Sequence, residues 1–159
     1  PAGPRHLAQA IGALLSFRIV QASTPQHMAQ ARAIRQQVFI EEQGIPARLE
    51  WDGRDTDCIH VLAFTPEGMA VGTGRLDTDG RIGRMAVLAP WRGHGAGTAM
   101  LGGLLAAARE TGCQRVYLHA QESARHFYDR AGFRALGDPY LEAGIRHVSM
   151  EMRLDADDT

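Results

Sequence analysis

The apolar positions of this chain keep a strand period in some stretches and a helix period in others. Phe17 to Val20 is a short apolar, β-branched run that predicts a strand, and Thr24-Pro25 after it is the cap-then-proline order that opens a helix. Met28, Ala31, Ile34 and Val38 recur at helical spacing, which predicts a helix from about Pro25 to Glu41 with arginines and glutamines on its other face. Glu42 to Asp57 breaks that period with turn formers, acids and Trp51, and reads as an ordered loop or short helix over a cleft. Ile59 to Phe64, Ala70 to Leu76 and Ile82 to Leu88 then predict three strands, and their short turn-rich connections suggest an antiparallel meander. Leu101, Leu104, Leu105 and Ala108 mark a helix from about Gly95 to Thr111, with Gly112 as its stop. Val116 to His119 predicts a strand, Ser123 to Ala131 a short helix closed by Gly132, and Gly144 to Leu154 the last strand, with Asp138 to Ile145 read as a loop before it. Pro1 to Leu15 is read as an extension, and residues 16–159 as one domain of α+β class.

Composition narrows the chemistry. The chain has 159 residues, 45% of them hydrophobic, which suits one globular domain and does not suit disorder. All 17 basic residues are arginine and there is no asparagine. Schiff-base lysine chemistry, a Walker-type phosphate lysine and a Cys-His-Asn triad are therefore excluded. The net charge of -1, with arginines spread along the chain, provides no electrostatic footprint for nucleic acid or an anionic membrane. A small-molecule or peptide partner is expected, and the oligomeric state stays open, with a homodimer among the alternatives. The opening stretch is too short an apolar run to span a bilayer, and Cys58 and Cys113 fit no metal or redox spacing, so the expectation is a cytoplasmic protein without a metal.

Arg92-Gly93-His94-Gly95-Ala96-Gly97 lies between a predicted strand and a predicted helix. Glycines there leave backbone N–H groups unobstructed at a helix start, where the partial positive charge favours an anion by about 1 kcal/mol. The dinucleotide fingerprint G-x-G-x-x-G does not fit, because Thr98 stands at the sixth position from Gly93. Spacing alone leaves a plain chain turn open as the alternative.

Arg92-x-x-Gly95-x-Gly97 after a strand resembles the acetyl-CoA signature of the GNAT superfamily of N-acetyltransferases. Downstream, Gln121-x-x-Ala124-x-x-Phe127-Tyr128-x-x-Ala131-Gly132-Phe133 resembles a second segment of that superfamily, with Gln121 where an asparagine is usual. Val38 to Pro46, Trp51 to Asp55 and Glu142 to Ile145 look like a bacterial subgroup of uncharacterised members, so the resemblance covers about Phe17 to Leu154. It implies a three-layer fold: a twisted, mostly antiparallel sheet with a central splay, flanked by helices. It also implies acetyl-CoA as co-substrate, held by Arg92, Gly93, His94, Gly95, Ala96, Gly97 and Thr98. Met85, Ala86 and Val87 on the splayed strand, and Gln121, Ala124, Phe127 and Tyr128 beyond it, complete that cofactor site.

Acyl transfer to an amine passes through a tetrahedral oxyanion, and the backbone N–H of Val87, or of Met85, is the expected donor, worth about 3 kcal/mol. Tyr128 is the group the resemblance places beside the departing sulfur. A phenol near pKa 10 is a weaker acid than a thiol near 8.5, so proton transfer is uphill by roughly 2 kcal/mol and hydrogen bonding describes the role better. An alkyl amine is neutral about once in 2500 molecules at pH 7, a penalty of roughly 4.6 kcal/mol that a base must offset. Glu41, Glu42, Asp52, Asp55 and His119 are the candidate bases, with His147 behind them, and none has a decisive spacing. The leading expectation is acetyl transfer from CoA to a primary amine by direct attack in a ternary complex. An acyltransferase like the acyl-homoserine lactone synthases, which Arg35-x-x-Val38-Phe39 and Glu41 resemble, and a non-catalytic acyl-CoA binder are the alternatives.

Overall fold

A computed structural model describes residues 16–154; the expected extension, residues 1–15, lies outside the described residues. In chain order the elements are β1 (Arg18–Gln21), α1 (Pro25–Arg35), a π-helical segment (Gln36–Glu42), α2 (Ala47–Glu50), β2 (Ile59–Phe64), β3 (Ala70–Leu76), β4 (Ile82–Val87), α3 (Ala96–Glu110), β5 (Arg115–Gln121), α4 (Arg125–Ala131), β6 (Arg134–Glu142) and β7 (Ile145–Arg153). Short 3-10 turns precede β2, α3 and α4.

β2 shows how three layers arise from one alternating pattern. Val61 and Ala63 pack against α3 through Met100, Leu101 and Leu104, whereas Leu62 and Phe64 pack against Ala31 and Ile34 of α1 and Val38 of the π-helical segment. Successive side chains of a strand point to opposite faces, so a strand buried on both sides reads as a continuous apolar run. Close approach of α3 needs Gly74, where an added Cβ would lie 2.9 Å from Leu104 Cδ1 and 2.6 Å from Met85 Sδ.

The strands form two antiparallel groups, β1-β2-β3-β4 and β5-β7-β6. Between the groups the only pairing among the described residues is a parallel bridge, Arg81 with Tyr117, with the Tyr117 N–H donating to the Gly80 carbonyl at 3.1 Å. Beyond that bridge β4 and β5 diverge. The expected α+β architecture with a central splay is thus present.

Two elements differ from the sequence expectation. The helix predicted to run to Glu41 is α-helical only to Arg35 and then widens, with Gln43 N–H donating to the Val38 carbonyl five residues back at 3.1 Å. The wider turn buries the adjacent Val38 and Phe39 together, which a 3.6-residue period does not anticipate. The second difference is β6, which passes through a segment expected to be a loop. Gly137-Asp138-Pro139 reads as a turn, yet β6 pairs only with β7, and an outer strand tolerates a proline that lacks an N–H. The pairing shifts register between Leu136 and Tyr140, which absorbs the irregular residues as a bulge.

Candidate active site

The divergence of β4 and β5 opens a cavity of about 470 Å3. One wall is β4 with Ile82, Gly83, Arg84 and Met85, and the other is β5 with Leu118, His119, Ala120 and Gln121. Phe39, Gln43, Ile45 and Leu49 roof it, and Tyr128 and Ala124 reach it from the helical side.

β4 carries an irregularity at the cavity. Thr73 pairs with Ala86 and Arg75 with Gly83, so Gly74 alone faces both Arg84 and Met85. Arg84 takes the extra turn with a φ of 51°, a conformation costing about 1 kcal/mol for a residue with a Cβ. Its guanidinium is anchored on the roof, donating through Nη2 to the carbonyls of Leu49 and Glu50, both at 3.1 Å. Further along β4, the Leu88 N–H donates to the Val71 carbonyl at 2.9 Å, and Gly72 faces Val87. Alternation along an antiparallel ladder then turns the N–H and carbonyl of Val87 away from β3, toward the gap. Arg92 Nε donates to that carbonyl at 2.8 Å. Met85 lines the cavity, while Ala86 is buried against the α1 side.

The glycine turn stands at the end of this strand. Gly93 and Gly95 have φ of 81° and 94°, and a Cβ at either would enter open space. α3 has no side-chain cap on its first N–H groups, and its first turn starts with Ala99 donating to the Gly95 carbonyl. The donors of Ala96, Gly97 and Thr98 are therefore left for another acceptor. Ala96 is buried and His94 half-buried, while Thr98 is exposed. Phe127 crosses the start of α3, 3.4 Å from where a Cβ of Gly97 would sit, so the two sequence motifs meet in space. The set fits a diphosphate: unsatisfied donors, no obstructing side chains and a helix start.

Tyr128 is buried in the core with its ring edge-on to Phe127 at 4.9 Å and to Phe133 at 5.7 Å. Burial pushes its hydroxyl up to about 12. Gln121 does not face the cofactor turn with its amide; its Nε2 donates to Gln43 Oε1 at 2.8 Å and joins β5 to the roof.

Of the acids named as bases, none is free in the cavity. Glu41 is exposed and does not line it. Glu42 forms a two-pronged pair with Arg92, at 2.7 and 2.8 Å, whose hydrogen bonds hold its carboxyl below the usual range. Asp52 lines the cavity, but the hydrogen bond from Arg75 holds its carboxyl far below the usual range. Burial alone would raise Asp55, yet hydrogen bonds from Arg35 and Arg75 outweigh it. With the Arg35 to Glu50 contact at 2.7 Å, these side chains form one buried ionic network that fastens the roof to β3 and β4. A carboxylate so stabilised is a poor base.

His119 does line the cavity. Its Nδ1 lies 2.6 Å from the Tyr140 hydroxyl and 3.4 Å from Glu142. Burial and then Arg81 push its pKa down, against the pull of Glu142. The sequence reading missed Tyr140 and Glu142, because both lie on the strand read as a loop. His147, weighed only as an outlying candidate, lies between them and β5: it faces Gln121 on one side and Tyr140 on the other.

A sheet split between its two halves, with a helix-start glycine turn at the end of one splayed strand, defines an acyl-CoA N-acyltransferase fold. A family model described as an acetyltransferase (GNAT) domain matches residues 19–154, and the chain belongs to that family. It is an N-acetyltransferase by that membership and by its relatives. YjcF of Bacillus subtilis strain 168, named an uncharacterized N-acetyltransferase, is 33% identical over 138 residues, covering 84% of this chain and 98% of the relative. The crystal structure of an acyl-CoA N-acyltransferase from Pseudomonas aeruginosa superposes with a TM-score of 0.74 at 30% identity, covering 87% of this chain and 99% of that one. An aminoglycoside 6'-N-acetyltransferase, solved in complex with coenzyme A, shares the fold with a TM-score of 0.69 at 14% identity, over 86% and 96% of the two chains.

Proposed function

We propose that the protein moves an acetyl group from a CoA thioester to a primary amine, small or peptidic, by direct attack while both are bound. The observation that carries this reading is the gap between β4 and β5. Tyr128 lines it on one side, and on the β4 side the Val87 backbone is turned away from β3, next to a helix start whose first N–H groups have no side-chain cap.

The Val87 N–H donates to the carbonyl oxygen as charge builds on it, a contribution of about 3 kcal/mol. Tyr128 donates a hydrogen bond to the departing sulfur. With its hydroxyl at about 12, giving the proton away to a thiolate of ordinary basicity would be uphill by about 5 kcal/mol. The proton therefore stays on Tyr128 and the thiolate is protonated later. Arg92 holds the end of β4 through the Val87 carbonyl, which keeps the amide aimed into the gap. Glu42, neutralising Arg92, ties the roof to that strand end.

The test is thiol release from acetyl-CoA in the presence of a panel of primary amines, with calorimetric titration of acetyl-CoA alongside. Amine-dependent thiol release with saturable binding is expected. Binding without release with any amine would mark an acyl-CoA binder. Release only with acyl groups delivered by a carrier protein would mark an acyltransferase of the homoserine lactone synthase kind.

A further inference from the structure

We propose that His147 is the residue that takes the proton from the incoming ammonium, held in that role by the Ile145 carbonyl on one side of its ring and Glu142 on the other. The inference rests on the amine-acetylation reading above and names the acceptor-side chemistry which that reading leaves open.

A carbonyl only accepts, so the Ile145 carbonyl, 2.7 Å from His147 Nδ1, requires the proton on Nδ1. The lone pair is thereby left on Nε2, 3.7 Å from Glu142 Oε2. The His147 side chain is 8% exposed, lines the cavity and stacks on the Tyr140 ring at 6.2 Å, so the ring has little freedom to turn over. His119, the nearer choice from sequence, has the opposite arrangement. Ser149 Oγ donates to the Tyr140 oxygen at 3.2 Å, which leaves the phenol proton for His119 Nδ1 at 2.6 Å, the direction the proposal assigns. The proton of a neutral His119 then sits on Nε2, a donor where a base needs an acceptor.

Glu142 owes its place to the β6–β7 hairpin. Ala143 and Gly144 have φ of 53° and 75°, a two-residue turn that leaves Glu142 and Ala143 on the cavity rim. The charged and titratable groups around His147 are His119 from β5 and Tyr140 and Glu142 from β6, with Arg81, ahead of β4, acting on His119. Arg146, the neighbour along β7, is occupied by Glu122 at 2.6 Å. The one carboxylate facing the ring is therefore Glu142, which attracts an ammonium to the rim and then stabilises the imidazolium.

The proton count closes. The ammonium gives one proton to His147 Nε2 and becomes a nucleophile; the N–C bond forms and the C–S bond breaks. The surplus proton left on nitrogen ends on sulfur as free thiol, and the imidazolium returns its proton to water at the rim. The acceptor class is then an alkyl amine that arrives charged.

The tests use the full chain. Ring nitrogen-15 shifts at pH 8 are expected to show His147 protonated on Nδ1 only and His119 on Nε2 only; His147 carrying its proton on Nε2 overturns the proposal. His147→Gln is expected to lower thiol release with benzylamine about 100-fold or more at pH 7. With phenylhydrazine, already neutral there, the change is expected to stay below about fivefold, because no proton needs removing. Equal loss with both acceptors indicates a structural role and overturns the proposal, as does the same differential in His119→Gln. Glu142→Gln is expected to raise the KM for benzylamine while leaving that for phenylhydrazine within about twofold, and an equal change in both overturns the pairing. If no amine elicits thiol release from the unaltered protein, the transfer reading falls together with this one. Release that leaves His147→Gln unaffected overturns this one alone.

Discussion

Removing one oxygen atom, Tyr128→Phe, separates the role of Tyr128 in packing from its role in chemistry. The ring keeps its contacts with Phe127 and Phe133, and burial is the sole influence on the hydroxyl, so no hydrogen bond inside the protein is lost. Stability at pH 7 is accordingly expected to stay within about 0.5 kcal/mol. Catalysis differs, because a hydrogen bond to a charged group is worth about 1.5 to 3 kcal/mol. That range corresponds to a fall in kcat of roughly 10- to 150-fold at saturating acetyl-CoA, with the calorimetric affinity for acetyl-CoA unchanged. The same burial has a second signature at alkaline pH. A hydroxyl at about 12 when folded and near 10 when unfolded keeps its proton longer in the native state, so it has no effect on stability below pH 10. Between pH 10 and 12 it lowers stability by about 2.7 kcal/mol in all, and Tyr128→Phe removes that loss. Urea titrations at pH 8 and pH 11.5 measure it. An unchanged kcat refutes the assignment of Tyr128 to the leaving group, and identical alkaline losses in the two proteins refute the burial argument.

Gly95→Ala forces a side chain to a φ of 94° and sets a methyl group in the open space in front of the start of α3, where an anion would approach its donors. It is expected to weaken acetyl-CoA binding at least about 10-fold by calorimetry while costing about 1 to 2 kcal/mol in stability. Glu50→Leu takes from Arg35, 1% exposed, one of its two close carboxylates and leaves Asp55 at 2.8 Å; losing one such charged hydrogen bond costs about 1.5 to 3 kcal/mol, a drop of roughly 5 to 10 °C in Tm. A drop under about 3 °C would show that the network is dispensable. Asp52, held below its ordinary value by Arg75, adds stability that is complete above the unfolded pKa near 4 and is lost as pH falls through the folded value. The urea midpoint is therefore expected to hold from pH 7 to 5 and to fall below about pH 4, less steeply in Asp52→Asn. Parallel acid limbs in both proteins would remove Asp52 from the account.

Much of this molecule is written locally. The apolar run of β2, the helical stripes of α1 and α3, the proline-opened start of α1 and the left-handed glycines at Gly95 and Gly132 each act within a few residues, so period and turn chemistry reveal them. The glycine turn belongs to the same class, because open N–H groups at a helix start need only the backbone and the right small residues.

The acceptor side was not legible in that way. A π-helical widening after Arg35 costs little in local pattern but decides that Phe39 and Gln43 roof the cavity while Glu41 faces solvent. β6 looks like a loop because Gly137-Asp138-Pro139 breaks its pattern, and it is a strand only because β7 offers an edge where a missing N–H does no harm. Once β6 is there, its hairpin with β7 sets Tyr140 and Glu142 beside His147, and β5 brings His119, more distant in the chain, to the same place. The reverse happened to Asp52 and Asp55: acidic residues in a cleft segment look like bases until the arginines of α1, β3 and β4 are found against them. Local sequence thus determined which elements form and where an anion can sit. Tertiary structure alone decided which carboxylates are neutralised, because their charge depends on arginines that distant segments bring within a few ångströms.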